Sequence, residues 1–201
     1  MSLVIDYYLA PQSPWTYFGH ARLVQMAHQA GATVRIMPVD LGGQIFPATG
    51  GLPVGQRPPQ RQAYRMVELQ RFSHFLQMPL NLKPQFFPVA GDDAARLIIA
   101  VDQHDGVDAA LKVCGAVLAA VWVQERDIAN ASVLQDILRE QGIAADRWTA
   151  AQAPAAQDAY MAYTRQALDV GIFGAPSFVV DGEIFWGQDR LEFLQRRLQA
   201  G

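Results

Sequence analysis

The spacing of apolar residues divides the chain into a β-rich start, a helical middle and a β-rich end. The apolar run over residues 3–8 predicts a strand, and apolar positions three and four apart over residues 14–29 predict a helix that stops at Gly31. Residues 33–39 again have the pattern of a strand. This order predicts two parallel strands joined by a right-handed helical crossover.

The middle of the chain has helical spacing after an irregular beginning. Residues 40–59 are rich in glycine and proline, which predicts a long loop with no regular element. From residue 60 to about residue 171 apolar stripes predict a series of helices, with a proline-rich extended connector at 79–88. The stripe of the first helix consists of Met66, Leu69, Phe72 and Leu76.

The end of the chain returns to strands. Residues 177–180 and 183–186 flank Asp181-Gly182, a strong signal for a tight hairpin turn. A last helix is predicted over residues 190–199, and Asp189 and Glu192 have the spacing of a capping box. One mixed sheet can therefore collect the strands of both ends, with the helical block as a lid on one side.

Composition narrows the class of protein. The 201 residues are 51% hydrophobic and 17% charged, which is typical of one compact folded unit. The net charge of -3, with no basic cluster, argues against nucleic-acid binding. The start has no signal-peptide pattern and no apolar stretch approaches a membrane span, so we expect a cytoplasmic protein without membrane contact.

The cysteine and histidine content argues against a metal site. Cys114 is the only cysteine, and with Leu111 and Leu118 it forms the apolar stripe of a predicted helix, so we interpret it as a buried, inert thiol. The histidines are dispersed and form no ligand pattern. They are His20, His28, His74 and His104.

The junction between the first strand and the first helix is the most informative stretch. Ser13 stands where the strand ends and the helix begins, with Pro14 behind it, which is a common way to start a helix. The free N–H groups and the dipole of a helix N-terminus also favour negative charge. A hydroxyl that caps a helix can therefore also face a bound anion.

Three motifs in this order resemble a known family. They are Asp6 with Ser13-Pro14-Trp15-Thr16-Tyr17, then Phe173-Gly174-Ala175-Pro176, then Trp186-Gly187-Gln188-Asp189-Arg190-Leu191. They are similar to motifs of the 2-hydroxychromene-2-carboxylate isomerases, which belong with the kappa-class glutathione transferases in the DsbA-like branch of the thioredoxin superfamily. The resemblance implies an α/β fold, with a thioredoxin-like (DsbA-like) mixed sheet in residues 1–40 and 171–201. A loop and an inserted all-helical subdomain occupy residues 41–170, in one compact unit.

The resemblance also implies a glutathione site. Ser13 stands where redox relatives keep the first cysteine of C-x-x-C, so dithiol exchange is excluded and the hydroxyl would instead favour the thiolate of a bound thiol. Pro176 matches a proline that is cis in the family, and Asp189 matches the acid that meets the γ-glutamyl end. The glutathione-binding residues implied are Ser13, Ala175, Pro176, Trp186, Gly187, Gln188 and Asp189.

The implied activity is a glutathione-dependent cis–trans isomerisation with Ser13 as the catalytic residue. It would interconvert 2-hydroxychromene-2-carboxylate and trans-o-hydroxybenzylidenepyruvate, or a related aromatic enone acid. Reversible thiolate addition turns the double bond into a single bond that rotates. The substrate carboxylate needs a cation, for which Arg96 matches a family arginine and Arg57 is a second candidate. The aromatic residues expected to line the cleft are Trp15, Phe46 and Phe87.

The chain departs from the family pattern in the substrate half. Pro47 stands where a lysine is frequent, Gly51 or Gln56 stands at the position of an asparagine, and Ala90 replaces another asparagine. Two alternatives therefore stay open: a kappa-like glutathione transferase with a different electrophile, and a non-catalytic thioredoxin-fold binding module. The resemblance implies a homodimer, although no residue decides it.

Overall fold

The computed structural model describes residues 3–200 and contains a four-stranded mixed sheet. Strands β1 (Val4–Leu9) and β2 (Thr33–Pro38) are parallel, and β1 also pairs antiparallel with β3 (Ser177–Val180). β3 pairs antiparallel with β4 (Glu183–Trp186), so the order is β2-β1-β3-β4. This confirms the predicted mixed sheet built from both ends of the chain. Residues 1, 2 and 201, which end the predicted domain segments, lie outside the described residues.

Helix α1 (Pro14–Ala30) connects the two parallel strands, as predicted. Ser13 is its N-cap, and the Ser13 side chain accepts a hydrogen bond from the backbone N–H of Thr16. The helix ends at Gly31, whose φ of 61° is the left-handed conformation that glycine adopts without strain. The first helical turn therefore begins directly beyond the carboxyl end of β1.

The prediction that residues 40–59 form no regular element is wrong. They contain a π-helical turn (Leu41–Ile45), the short helix α2 (Phe46–Thr49) and a 3-10 turn (Val54–Gln56). The Asp40 carboxylate accepts a hydrogen bond of 2.7 Å from the backbone N–H of Gly43. Consecutive short turns satisfy the backbone hydrogen bonds that an irregular loop of this length leaves open.

Six helices follow, and their packing shows that the helical segment shares its core with the sheet. Leu97 and Val117 belong to the same buried cluster as Tyr7 and Phe178 of the strands. Helix α7 was not predicted, because six residues are too short for a periodic pattern. The helices are α3 (Pro59–Leu76), α4 (Asp92–Asp105), α5 (Val107–Trp122), α6 (Ala131–Glu140), α7 (Asp146–Ala151) and α8 (Pro154–Asp169).

The hairpin is confirmed, but the predicted capping box after it is wrong. Asp181 and Gly182 have φ of 49° and 83°, as a tight hairpin turn requires. A 3-10 turn (Gln188–Arg190) precedes the last helix, α9 (Leu191–Gln199), and no side chain caps either element. The Asp189 carboxylate lies inside that turn and instead accepts a hydrogen bond of 2.7 Å from Arg190.

The remaining expectations concern membranes, metals and the thiol. Within residues 3–200 no helix combines the length and apolar character needed to cross a bilayer. The same residues contain no group of three or more His, Cys, Asp or Glu side chains placed to hold a metal ion. Cys114 is fully buried in the core, and this burial raises the pKa of its thiol.

Candidate functional site

A cavity of about 1140 Å³, called the cleft below, opens where distant parts of the chain meet. Its walls come from the N-terminus of α1, the segments before β3 and after β4, residues 41–57, and α3. The sheet brings the segment before β3 next to the end of β1, because these two strands are paired neighbours. The cleft is therefore a product of the strand order.

Ser13 lines the cleft at the N-terminus of α1. Its Oγ accepts a hydrogen bond of 3.2 Å from the Thr16 N–H and donates a long one, of 3.4 Å, to the Ala175 carbonyl. Pro14 has no N–H, so the Trp15 N–H is the first of the helix without an intrahelical partner. Three features here can together bind an anion: the Ser13 hydroxyl, whose own hydrogen bond is long, the Trp15 N–H, and the positive end of the helix dipole.

The segment before β3 is fixed by hydrogen bonds to its neighbours. The Ala175–Pro176 peptide bond is cis, as the resemblance implied. The Ser177 hydroxyl donates to the Gly174 carbonyl at 2.8 Å, and the Gly187 N–H donates to the Pro176 carbonyl at 2.8 Å. The second and third motifs are therefore held together by their backbones.

Gln188 presents an unused hydrogen-bond donor. It is 2% exposed, and Arg22 donates to its Oε1 at 2.9 Å and to its backbone carbonyl at 3.2 Å. Because a guanidinium only donates, this contact fixes the orientation of the amide, and Nε2 has no partner among residues 3–200. The buried Oε1 of Gln12, which also lines the cleft, is likewise without a partner within that range.

Trp186 forms an exposed aromatic wall with Phe173, whose ring lies 4.6 Å away edge to face. A Cβ atom on Gly174 would lie 2.3 Å from the Trp186 Nε1, so only glycine lets the indole lie this close. Asp189 lines the cleft with a half-exposed carboxylate. Of the implied glutathione residues, the structure places all in the cleft lining except Pro176, which directly follows the lining residue Ala175.

The opposite side of the cleft is aromatic and cationic. Trp15, Phe46 and Phe87 all line it. Arg57 lines it too, with its guanidinium carbon 6.0 Å from the centre of the Phe46 ring and its Nε donating to the Leu52 carbonyl at 2.8 Å. The loop that carries Arg57 is thus ordered by its own contacts.

Arg96, the other predicted substrate-binding cation, is not brought to the cleft. Its guanidinium bonds to the Asp93 carboxylate and, at 2.7 Å, to the Gln157 Oε1. It is absent from the cleft lining. Its Nε is buried without a partner among residues 3–200, but side chains of α4 and α8 hold the guanidinium outside the cleft lining.

Arg65 is the buried cation of the cleft, and sequence reasoning missed it. It is 8% exposed, and its guanidinium carbon lies 5.2 Å from the Phe87 ring centre and 5.9 Å from that of Trp122. The signal for it was its position four residues before Leu69 and seven before Phe72, on the apolar stripe of α3. A charged residue on such a stripe is buried, and a buried charge needs a reason.

A comparison with family models identifies the fold family. The model described as a DSBA-like thioredoxin domain matches residues 4–199. This chain belongs to that family. The DSBA-like domain thus includes the helical segment, as expected because this segment shares one hydrophobic core with the sheet.

Curated relatives narrow the resemblance within the DSBA-like family. A 2-hydroxychromene-2-carboxylate isomerase of Sphingobium xenophagum is 28% identical over 199 residues, covering 98% of this chain and 99% of the relative. One from Pseudomonas putida is 28% identical over 203 residues, covering 96% and 93%. The predicted resemblance to these isomerases is confirmed.

Solved structures agree on the fold. A structure of a 2-hydroxychromene-2-carboxylate isomerase superposes with a TM-score of 0.78 at 23% identity, covering 98% of this chain and 95% of the other. The cytosolic disulfide reductase DsbM from Pseudomonas aeruginosa, solved with GSH, gives a TM-score of 0.69 at 21% identity, covering 98% and 100%. This DSBA-like domain therefore has a fold found in both isomerases and disulfide reductases.

Proposed function

We propose that this DSBA-like domain is a glutathione-dependent cis–trans isomerase of an aromatic enone acid, of the kind named in its curated relatives. The observation that carries the proposal is a cleft built for a thiolate but without a thiol of its own. Ser13 occupies the N-terminus of α1, whereas Cys114, the only cysteine, is buried in the core. Thiol chemistry in this cleft therefore requires a thiol from a ligand.

The residues of the cleft fit glutathione. The Gln188 Nε2 is a buried donor and the Gln12 Oε1 a buried acceptor, and a peptide-like ligand would satisfy both. The half-exposed Asp189 carboxylate suits the ammonium group of a γ-glutamyl end. Trp186, lying against Gly174, offers a flat apolar surface in the same cleft.

The catalytic role of this chain is to hold and ionise a thiol. Glutathione, when bound, supplies a thiolate that adds reversibly to the conjugated double bond and so permits rotation. Ser13, whose contact with the Ala175 carbonyl is long, would hold the sulfur by a hydrogen bond from its hydroxyl. The positive end of α1 further favours thiolate over thiol, which lowers the thiol pKa from its ordinary value near 8.5.

Product analysis tests the proposal. The purified protein is mixed with reduced glutathione and 2-hydroxychromene-2-carboxylate, which is the ring-closed form of cis-o-hydroxybenzylidenepyruvate, and the products are followed by chromatography. We expect the trans isomer to form with glutathione unconsumed and to form slowly when glutathione is omitted. A conjugate that accumulates as glutathione disappears would contradict isomerisation and identify a transferase.

Binding calorimetry with reduced glutathione separates an enzyme from a binding module. We expect binding with proton release between about pH 6 and 9, the range around the free thiol pKa. Absence of binding would remove both thiol-dependent activities. Assembly as a homodimer and location in the cytoplasm stay predictions, and sedimentation of the purified protein tests the first.

A further inference from the structure

The cleft carries more positive charge than the chain as a whole. Four arginines and two carboxylates line it, although the formal net charge of the protein is -3. Arg57, Arg61 and Arg65 line the cleft from one chain segment, residues 57–65. Burial and the charge of Arg61 lower the pKa of Arg57, and burial and the charge of Arg57 lower the pKa of Arg65. We call these three the arginine cluster. Like charges gathered in a half-buried site are relieved by an anion.

Arg65 is the most buried member of this cluster and has no acid partner. Burial and the charge of Arg57 lower the pKa of Arg65 to about 10. Within residues 3–200 no salt bridge joins it to a carboxylate. In the same range its NH1 nitrogen contacts only the Met66 sulfur, at 4.0 Å, and its NH2 nitrogen has no hydrogen-bond partner. Glu68, the acid one turn further along α3, pairs with Arg71 at 3.2 Å. A buried cation without a counterion has unused capacity for an anionic ligand.

The surroundings of Arg65 indicate what kind of anion it binds. The Phe87 and Trp122 rings hold the guanidinium by cation–π contact, and the planar fork of arginine matches a carboxylate with two parallel hydrogen bonds. Phe87 also lines the cleft, as do the aromatic Phe46 and Trp15. An aromatic acid fits this combination of rings and charge.

We propose that Arg65, with Arg57 beside it, binds the carboxylate of an aromatic α-keto acid substrate. This inference rests on the proposed function and adds a residue that the resemblance did not supply. Glutathione also carries carboxylates, but the residues that suit it, Gln188 and Asp189, follow β4, whereas Arg65 belongs to α3. We assign Arg65 to the substrate because aromatic rings, which suit an aromatic acid, surround its guanidinium.

Two enones that differ in one group, a carboxylate in the first and a methyl group in the second, test the proposal. The cis isomers of o-hydroxybenzylidenepyruvate and of o-hydroxybenzylideneacetone share the reacting double bond, but only the first has a carboxylate. With saturating glutathione, we expect Arg65→Met to lower kcat/KM for the acid by about 10- to 100-fold, the factor that a charge-assisted hydrogen bond contributes. The kcat/KM for the ketone should change less than about threefold. Arg65→Lys, which keeps the charge, should recover part of the activity on the acid.

Control variants separate position from charge. Arg165→Met removes an exposed arginine of α8 and should leave both substrates unchanged. Arg96→Met tests the arginine that the resemblance indicated, and we expect no selective loss on the acid. Equal losses on both enones with Arg65→Met, or a selective loss with Arg96→Met alone, would overturn the proposal.

Direct binding keeps the test independent of catalysis. Calorimetry with phenylpyruvate, without glutathione, should show binding to the wild type and about 10- to 100-fold weaker binding to Arg65→Met. This result stands even if the wild type isomerises neither enone, which would contradict only the proposed function. Weakened glutathione binding with unchanged phenylpyruvate binding would instead place a glutathione carboxylate at Arg65 and overturn the inference.

Discussion

The two sides of the cleft are built differently. We call one side the polar wall; it consists of Ser13, Ala175 and Trp186–Asp189. Backbone contacts position it, since the Gly187 N–H donates to the Pro176 carbonyl and so joins two segments. We call the other side the arginine wall; it consists of the arginine cluster with Phe46 and Phe87. It is held mainly by side-chain contacts, in which arginine guanidinium groups stack on aromatic rings. Backbone contacts beside a sheet are rigid, whereas side-chain stacking is easily altered. We therefore expect the polar wall to set the chemistry and the arginine wall to set the substrate.

The largest effect is expected from Ser13→Ala on the polar wall. Loss of the hydroxyl should lower kcat by about 100-fold, as removal of one preorganised donor to a developing charge does in other enzymes. It should also raise the pKa of the bound glutathione thiol, measured by the ultraviolet absorbance of the thiolate across pH. Ser13→Thr, which keeps a hydroxyl, should retain more activity.

A second N-cap provides the control for lost helix stability. The Asn130 side chain accepts a hydrogen bond of 2.9 Å from the Ser132 N–H and caps α6. Asn130→Ala and Ser13→Ala should each lower the free energy of unfolding by about 1 kcal/mol. If Asn130→Ala lowers kcat as much as Ser13→Ala does, the role of Ser13 is structural.

A glycine under an aromatic ring tests the polar wall next. In Gly174→Ala the new Cβ meets Trp186, and the exposed indole must leave its position. We expect the Kd for glutathione to rise about 10-fold, since a displaced side chain costs about 1 kcal/mol and its contact with the ligand is lost as well. Calorimetry checks this, and an unchanged Kd would remove Trp186 from the glutathione site.

The arginine wall contains a matching glycine. A Cβ on Gly51 would lie 2.2 Å from the Phe46 ring, so Gly51→Ala displaces that ring and the Arg57 guanidinium above it. The KM for the enone acid should rise about fivefold, with the Kd for glutathione unchanged. Gly55→Ala, where no atom lies within 4 Å of the new Cβ, is the control. A change in glutathione affinity with Gly51→Ala would erase the distinction between the walls.

The two walls also differ in how far the sequence predicts them. On the polar wall, local signals place Ser13 at the N-terminus of α1 and predict the hairpin, whereas the family resemblance implied the roles of Pro176 and Gln188. Arg65 was missed because its environment comes from Phe87 and Trp122, which are distant in sequence. Arg96 was predicted on a resemblance, but Gln157 of α8 engages its guanidinium. Local patterns predict elements and caps, whereas side-chain partners across elements depend on packing.

A smaller effect is expected from Arg22, which acts through Gln188. Arg22→Met frees the amide to rotate, so we expect the KM for glutathione to rise about threefold with kcat nearly unchanged, because one of two amide orientations still serves the ligand. Arg22→Lys keeps a donor and should restore part of the affinity. A fall in kcat without a change in KM would show that Arg22 does not position the glutathione site.

His20 lies outside both walls and should affect stability without affecting activity. Its Nε2 lies 2.9 Å from the Leu111 carbonyl, which only accepts, so Nε2 carries the proton and Nδ1 accepts from the Tyr7 hydroxyl at 3.3 Å. Burial lowers the pKa of His20 from 6.5 to about 4. The folded protein therefore holds this imidazole neutral over a range in which the unfolded chain binds a proton.

The sign of the pH dependence follows from that difference. The contribution of neutral His20 to folding is complete above pH 6.5 and is lost as the pH falls toward 4. The contribution of neutral His20 to the free energy of unfolding amounts to about 3 kcal/mol, because each unit of the pKa difference between 6.5 and about 4 corresponds to about 1.36 kcal/mol. In denaturant titrations, the free energy of unfolding should fall more steeply in the wild type than in His20→Gln as the pH is lowered from 6.5 to 4, and exposed His104→Gln should match the wild type. Because neither wall includes His20, His20→Gln should keep the wild-type kcat near neutral pH. A large loss of kcat at that pH would show that the cleft depends on the packing behind α1.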